Sequence, residues 1–372
     1  MYKGYKIRLY PTRQQEELMW KHINACRFVW NYMIEQENKS PKYLNNYDMS
    51  KILPKLKEEN IWLKEVSATS LVTTCNDLHK SFTFYFNKTN GRPTFKSKKK
   101  SPLKYPIRNG HNRFYFDGNL VQIEKIGKIR FKNNNKVNDK LNKIKKVNPR
   151  ISYVNNKWLL LFGVECENQV FEKSDKSMGI DLGIKELAVV SYGDKKLVFH
   201  NINKSKRMEN LEDKLIHIKR VISRKYKVNG NYEKTNNIIK YEKLQKEIYY
   251  KLANIRQNYI HQTTHKLILL KPNKIVMENL NVAGMMKNKH LSKSIKEQKF
   301  TEFIRQMKYK CEWSGIEFIQ ADRFYPSSKL CSCCGNKKDN LKLSDRTYKC
   351  SNCGLIIDRD YNAAINLMNY VV

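Results

Sequence analysis

A chain of 372 residues is long enough for two or three domains with cores of their own, and 40% hydrophobic with 11% aromatic residues predicts that it folds. Seventy-two Lys and Arg stand against 35 Asp and Glu; the resulting formal net charge of +37 opposes compaction unless a polyanion neutralises it, so nucleic acid is the leading partner. A membrane surface, the second candidate, is set aside: basic residues are spread along the whole chain, and no apolar run approaches the ~20 residues that span a bilayer.

The opening MYKGYKIRLYP has no apolar signal-peptide core, so a cytoplasmic location is expected. Within it YKGYKIRLYP alternates polar and apolar side chains and stops at Pro11, the pattern of a strand. TRQQEELMWKHINACRFVWNYMIEQEN follows with Thr12 in a capping position and Leu18, Ile23, Phe28 and Met33 near helical spacing, which predicts a helix. SATSLVTTCNDLHKSFTFYF predicts another, ending in an aromatic cluster at Phe82, Phe84, Tyr85 and Phe86. GRPTFKSKKKSPLK is a turn carrying a run of lysines. From Tyr105 to Val170 short β-like segments take over: RFYFDG, NLVQIEKIG, KIRFKN and RISYVNNKWLLLFGVE. Their spacing predicts a small barrel or sandwich that includes the first strand, with the helices inserted between.

From Ser177 the pattern changes. MGIDLGIKELAVVSYG and KKLVFHN read as three consecutive strands. Met208, Leu211, Leu215, Ile218 and Val221 then recur every three or four residues, as do Tyr241, Leu244, Ile248, Leu252, Ile255 and Tyr259. Two long helices joined at KVNGN make an antiparallel hairpin. NKIVMENL and IEFIQAD are further strands, and strands, helical crossover, strands is an α/β pattern.

Five of the nine cysteines fall between Cys331 and Cys353, a crowding that calls for a metal rather than disulfides in a reduced compartment. Cys331 and Cys334, then Cys350 and Cys353, give two C-x2-C pairs fifteen residues apart. Each pair offers two thiolates from one tight turn, and two turns complete a tetrahedron. Iron–sulfur ligation is an alternative; structural zinc is preferred. Cys333 is an alternative to Cys334, which is preferred because it completes the spacing and precedes Gly335 as Cys353 precedes Gly354. Four sulfurs leave no open position, so this ion holds a fold and does not catalyse.

Three acids stand at the ends of different elements. Asp181 ends an apolar strand in GIDLG, where Gly179 and Gly183 permit close backbone approach, and Glu278 ends KIVME in the same way. Such acids cost free energy unless paired or bound to a cation. Asp358 and Asp360 lie at the mouth of a last helix, where acids also serve as caps. Taken together, three such acids in a strongly basic protein describe a two-metal phosphodiesterase, whose carboxylates hold two Mg²⁺ about 3.5–4 Å apart.

GIDLGIKELAVVS, IVMENLNVAGMMKNKHLSKSI, FYPSSKLCSCCG and DRDYNAAINL resemble the motifs of the TnpB proteins, RNA-guided endonucleases of bacterial insertion sequences formerly called OrfB transposases. YKIRLYPTRQQEELM and GRPTFKSKKK are similar to that family too, so the likeness spans the chain. The resemblance implies an α+β multidomain protein: a wedge-type β-barrel over 1–12 and 88–174, a helical recognition insertion over 13–87, and an RNase H-like α/β RuvC nuclease over 175–372. The nuclease would contain a helical hairpin at 204–268 and a zinc ribbon at 327–356. The family's first, second and third acids fall on Asp181, Glu278 and Asp360, because its third acid stands directly before x-N-A-A; Asp358 is left to cap the helix or meet solvent. Ala363 and Ala364 are small and let this helix approach the sheet. Implied cofactors are two catalytic Mg²⁺, one structural Zn²⁺ and a guide RNA from the transposon end. Implied partners are that RNA and target double-stranded DNA, with one protein copy in the complex and no membrane.

Lys96, Lys98, Lys99, Lys100 and Lys104 form one dense basic cluster, and Lys143, Lys145, Lys146 and Arg150 another. Lysines read phosphate rather than sequence, and in guided nucleases base pairing carries target specificity while protein reads a short flanking motif. Two other functions compete. One is an unguided RuvC-like nuclease or transposase accessory, against which the long basic N-terminal half speaks. The other is a guided DNA-binding regulator with an idle site, against which the three intact acids speak. A miniature type V CRISPR effector shares the same nuclease.

Overall fold

The first strand, β1 (Tyr2–Tyr10), pairs with a strand about 155 residues further along the chain, and that long-range ladder organises the N-terminal half. The computed structural model describes residues 1–110, 113–132, 141–142, 144–167, 172–228, 230, 234–342 and 345–371. Asn133, Lys143, Asn229 and Asn231, which the sequence expectations include, lie outside them. The chain divides into two units, Met1–Glu167 and Asn168–Val372. Among the described residues no helix is long and apolar enough to cross a membrane.

In the first unit three helices separate β1 from the rest of its sheet. Helix α1 (Arg13–Lys39) starts at a reciprocal cap in which Thr12 accepts from the Gln15 amide and Gln15 accepts from the Thr12 amide. Its buried stripe is Met19, Ile23, Cys26, Trp30 and Met33, with Leu18 and Phe28 half-buried beside it. Helix α2 (Asn46–Glu59) opens on a second reciprocal cap, Asn45 with Asp48, and carries Pro54 inside it. Helix α3 (Ala68–Phe86) follows. The strands are β2 (Lys104–Pro106), β3 (Phe114–Asp117), β4 (Leu120–Ile123), β5 (Gly127–Phe131), β6 (Lys146–Val154) and β7 (Lys157–Glu165). They form one antiparallel sheet in the order β2-β6-β7-β1-β5-β4-β3.

The expected strands and inserted helices are therefore present, but the expected barrel is not closed: among the described residues β2 and β3 remain the two edges. β2 is three residues long and ends in Pro106, which has no amide proton for a further ladder bond.

The second unit is built on a five-stranded sheet, β10-β9-β8-β11-β12. Strands β8 (Ser177–Leu182), β9 (Glu186–Tyr192) and β10 (Lys195–His200) are consecutive and antiparallel, as expected. The hairpin helices α4 (Lys206–Val228) and α5 (Asn236–Leu269) follow, then β11 (Lys274–Met277), which is parallel to β8. Helices α6 (Val282–Met285), α7 (Ser292–Gln298) and α8 (Phe300–Ser314) lead to β12 (Glu317–Gln320), parallel to β11. A two-stranded ribbon, β13 (Thr347–Lys349) with β14 (Ile356–Asp358), precedes the last helix, α9 (Arg359–Met368).

Side chains alternate along β8, and the two faces have different duties. Met178, Ile180 and Leu182 pack in one cluster with Ile260 and Leu267 of α5 and Phe303 and Met307 of α8. Gly179 faces the other way, against α9. A Cβ there would lie 2.0 Å from the Ala364 carbonyl oxygen and 2.3 Å from the Met368 nitrogen, so only glycine admits the helix at this distance. Ala363 and Ala364 are fully buried in the same contact.

Candidate active site and metal centre

Parallel strands deliver the first two acids side by side. Met277 of β11 is in register with Ile180 of β8, so the next residues, Glu278 and Asp181, leave the same end of the sheet. Asp360 arrives from the first turn of α9, one residue inside the helix. Asp358 caps that helix by accepting from the Tyr361 amide at 2.9 Å, with the Lys196 ammonium 3.6 Å away. The two neighbouring aspartates thus hold separate positions.

Asp181, Glu278 and Asp360 line one cavity of about 950 Å³. Its wall also carries Lys185, Lys204, Lys329, Lys342, Arg346 and Arg359. The Arg359 guanidinium is 3.3 Å from Asp360 Oδ1. Burial, then the charges of Glu278 and Asp360, push the Asp181 carboxyl well above the ordinary range, against the pull of Arg359. Burial raises Glu278 as well, although the Ser327 hydroxyl donates to its Oε1 and opposes the shift. Asp181 and Glu278, whose carboxyls resist ionisation here, become stable as anions when a divalent cation sits among the three acids. Their all-oxygen donor set suits a hard ion such as Mg²⁺.

The ribbon brings Cys331, Cys334, Cys350 and Cys353 together, with all four sulfurs within 4.8 Å of one another. Cys331 lies 3.5 Å from Cys353, and Cys334 lies 3.6 Å from Cys350. Cys333 is exposed and outside the group, which resolves the choice left open by the spacing. The two knuckles repeat one geometry. Cys331 donates to the Asn336 carbonyl and Cys350 to the Leu355 carbonyl, and Gly335 and Gly354 both take φ 72°. Backbone N–H groups of Cys353 and Asn352 aim at the Cys350 sulfur and draw its thiol down to about 6. At Cys353 the Leu355 amide pulls downward, but burial and the three facing thiols outweigh it and push the thiol up to about 12. Such a cluster fits a soft tetrahedral ion such as zinc, which removes the mutual repulsion of four sulfurs.

Three polar side chains that the sequence expectations passed over tie the ribbon to the acids. Asn362, fully buried on α9, donates to the Leu330 carbonyl and accepts from the Ser332 amide. Asn366, one turn on, donates to the carbonyls of Ser327 and Leu330. Ser327 is the residue that donates to Glu278. The detectable signal was two asparagines four apart in DYNAAINL, hence on one helix face. At the other acid, buried Gln298 donates to the carbonyls of Gly183 and Ile184 and so holds the turn that follows Asp181.

The lysine clusters are not uniform surfaces. Lys98, Lys99, Lys100 and Lys104 are exposed, whereas Lys96 is half-buried with its ammonium 3.1 Å from the centre of the Trp30 ring. In the second cluster Lys145 is exposed, but Lys146 is 6% exposed and packs over Phe114 and Phe116, and Arg150 is paired with Asp77.

Three family models match the chain: a "Helix-turn-helix domain" of the OrfB/IS605 type over 1–41, the OrfB/IS605 "Probable transposase" model over 162–289, and a "Cas12f1-like, TNB domain" over 300–367. The chain belongs to the TnpB (OrfB-type) family. One relative of this TnpB chain, from Streptomyces pristinaespiralis, bears the name "Putative RNA-guided DNA endonuclease"; it is 26% identical over 98% of the chain and 88% of its own length. Another, "Putative RNA-guided DNA endonuclease InsQ" of Escherichia coli, is 26% identical over 98% of the chain and 91% of its length. The fold matches a Cas12f1 solved with single-guide RNA and target DNA, with a TM-score of 0.57 and 13% identity over 99% of both chains.

Proposed function

We propose that this TnpB protein is an RNA-guided double-stranded DNA endonuclease of an insertion sequence that cuts beside a short transposon-associated motif. The observation that carries the reading is the convergence of Asp181, Glu278 and Asp360, from three separate elements, in one cavity rimmed by lysine and arginine. The names of the two full-length relatives support the guided part, as does a net charge of +37 in search of a polyanion.

The chain's own contribution to the reaction is positioning and charge. Glu278 is held by Ser327, Asp181 by the Gln298-anchored turn, and Asp360 by the seat of α9 on Gly179. Bound Mg²⁺ would supply an activated water and stabilise the leaving oxygen of the phosphodiester. Lys185, Lys204, Lys329, Lys342 and Arg346 line the same cavity, where their charge favours a phosphodiester backbone over bulk water. The four ribbon cysteines would hold one zinc ion and carry no chemistry. Lys98, Lys99, Lys100 and Lys104 offer phosphate contacts on the first unit.

The test has two parts. The protein expressed beside its native transposon end is purified and its RNA sequenced; one enriched, structured transcript is expected. That complex is then given a plasmid bearing the matching target in Mg²⁺, and linearisation is expected. A protein that carries no enriched RNA, or that cuts without regard to guide sequence, refutes guidance. A complex that binds its target without cutting refutes the nuclease.

A further inference from the structure

The first unit contains a cavity of about 460 Å³ between α1, α3, the Lys96–Lys104 segment and β6. Its volume lies within the range of about 300–1,000 Å³ usual for small-ligand sites. Its lining is strongly cationic: Arg27, Lys80, Lys96, Lys104 and Arg150 against one carboxylate, Asp77. That carboxylate is already engaged, since Arg150 grips it with both guanidinium ends at 2.6 and 2.8 Å. Among the described residues, none of the other four cations has an acid within ion-pair distance.

Two of the four are set into the wall. Arg27 donates through one guanidinium nitrogen to Asn24, while its other terminal nitrogen is buried with no hydrogen-bond partner. A buried cationic donor left empty costs free energy that an anion would recover. Lys96 lies with its ammonium against the Trp30 ring, and burial draws its amine down to about 8. Phe84, 52% exposed, stands on the same wall.

We propose that this cavity is a nucleotide site: one phosphate-bearing nucleotide places its phosphate against Arg27 and Lys96 and its base against Phe84. The phosphate offers an acceptor to the orphaned Arg27 donor and a counter-ion to the Lys96 ammonium, which now faces the Trp30 ring and, among the described residues, no acid within ion-pair distance, and an exposed aromatic ring accepts any base by stacking. The nucleotide is either free or part of a strand; the chemistry of the pocket is the same, and the experiment separates the two. This site is independent of the cleavage centre.

The probe is pyridoxal 5′-phosphate, applied to the full-length chain freed of copurifying RNA. Its aldehyde condenses with an unprotonated lysine amine with loss of water, borohydride reduces the imine to a stable secondary amine, and peptide mapping reads each lysine. Lys96 should be labelled ahead of Lys98, Lys99 and Lys100. A mixture of nucleoside monophosphates, or a short single-stranded oligonucleotide, present at about ten times its Kd should cut Lys96 labelling about tenfold. Protection by the monophosphates assigns the site to free nucleotides, and protection by the oligonucleotide alone assigns it to a strand. Phe84→Ala should weaken protection by nucleotides while leaving protection by inorganic phosphate unchanged. The Asp360→Ala protein should label and protect like the parent, so loss of the nuclease reading leaves this one standing. The proposal is overturned if Lys96 labels no faster than its exposed neighbours. It is equally overturned if neither competitor protects beyond matched salt, or if inorganic phosphate protects as well as a nucleotide.

Discussion

Gly179→Ala probes the contact on which the third acid depends. The added methyl would sit 2.0 Å from the Ala364 oxygen, 2.3 Å from the Met368 nitrogen and 2.9 Å from the Met368 Cα. Ordinary carbon contacts begin at about 3.5 Å, so α9 must retreat by more than about 1 Å. All three obstacles are backbone atoms, and no rotamer change relieves them. Overpacking of this kind costs roughly 1–3 kcal/mol, and the rigid neighbours place this site at the upper end. Asp360 rides on the first turn of α9, and a displacement of about 1 Å at a catalytic group lowers rate by roughly 100-fold. Single-turnover plasmid cleavage by the guided complex reads the rate, and calorimetry reads the stability. Gly4→Ala is the control, because a Cβ there meets nothing within 4 Å. A Gly179→Ala protein that melts and cuts like the Gly4→Ala control would show that α9 does not seat the third acid.

Asp360→Ala should reduce cleavage to background with target binding retained in a gel shift, whereas Asp358→Ala should lose only its cap to Tyr361, about 0.5–2 kcal/mol, and still cut; the opposite result would move the third ligand to Asp358. Cys331→Ser or Cys350→Ser should release zinc and unfold the ribbon, because the roughly 10–16 kcal/mol of such a site is also folding energy, while Cys333→Ser should keep its zinc by elemental analysis. Glu302, drawn down to about 2 first by the Arg305 guanidinium, binds fewer protons folded than unfolded; its contribution is complete above the ordinary value of 4.5 and is lost as pH falls toward about 2. Melting temperatures across that window should therefore fall less steeply in Glu302→Gln than in the parent, and equal slopes would dismiss the pairing.

Features that depend on local chemistry were legible before the structure. Thr12 followed by Gln15 marks a helix start, the alternation of YKGYKIRLY marks a strand, and two C-x2-C turns mark a cluster of four sulfurs. Asp181 and Glu278 could be placed because an acid at the end of an apolar run is costly without a partner. What was illegible depends on direction or on distant pairing. Lys145 and Lys146 are adjacent cations in sequence, yet one meets solvent and the other covers Phe114 and Phe116; a charge run carries no information about which way each side chain turns. Helix α2 is absent from the elements expected of the sequence; it carries Pro54, a residue that commonly breaks helices, inside a helix opened by the Asn45–Asp48 cap. The spacing of the short strands allows a barrel or a sandwich, and the family resemblance implies a barrel, but closure depends on whether two distant edges meet, and Pro106 ends the shorter one.

The adjacency of ribbon and third acid in sequence also understates how they are joined. A chain that merely continued from Cys353 into α9 would let the ribbon move freely about β14. Instead Asn362 and Asn366 reach back from one face of α9 to Leu330 and Ser327, on the segment that enters the ribbon, while Ser327 reaches Glu278. Both ends of the ribbon are thereby clamped to the helix that carries Asp360, and the entering end also to the second acid. Loss of the zinc cluster therefore has two routes to the cavity, through α9 and through Ser327. A Ser327→Ala protein cuts only the second. If it retains zinc but needs a higher Mg²⁺ concentration to cleave, the ribbon positions Glu278 as well as Asp360; an unchanged Mg²⁺ dependence would confine its influence to α9.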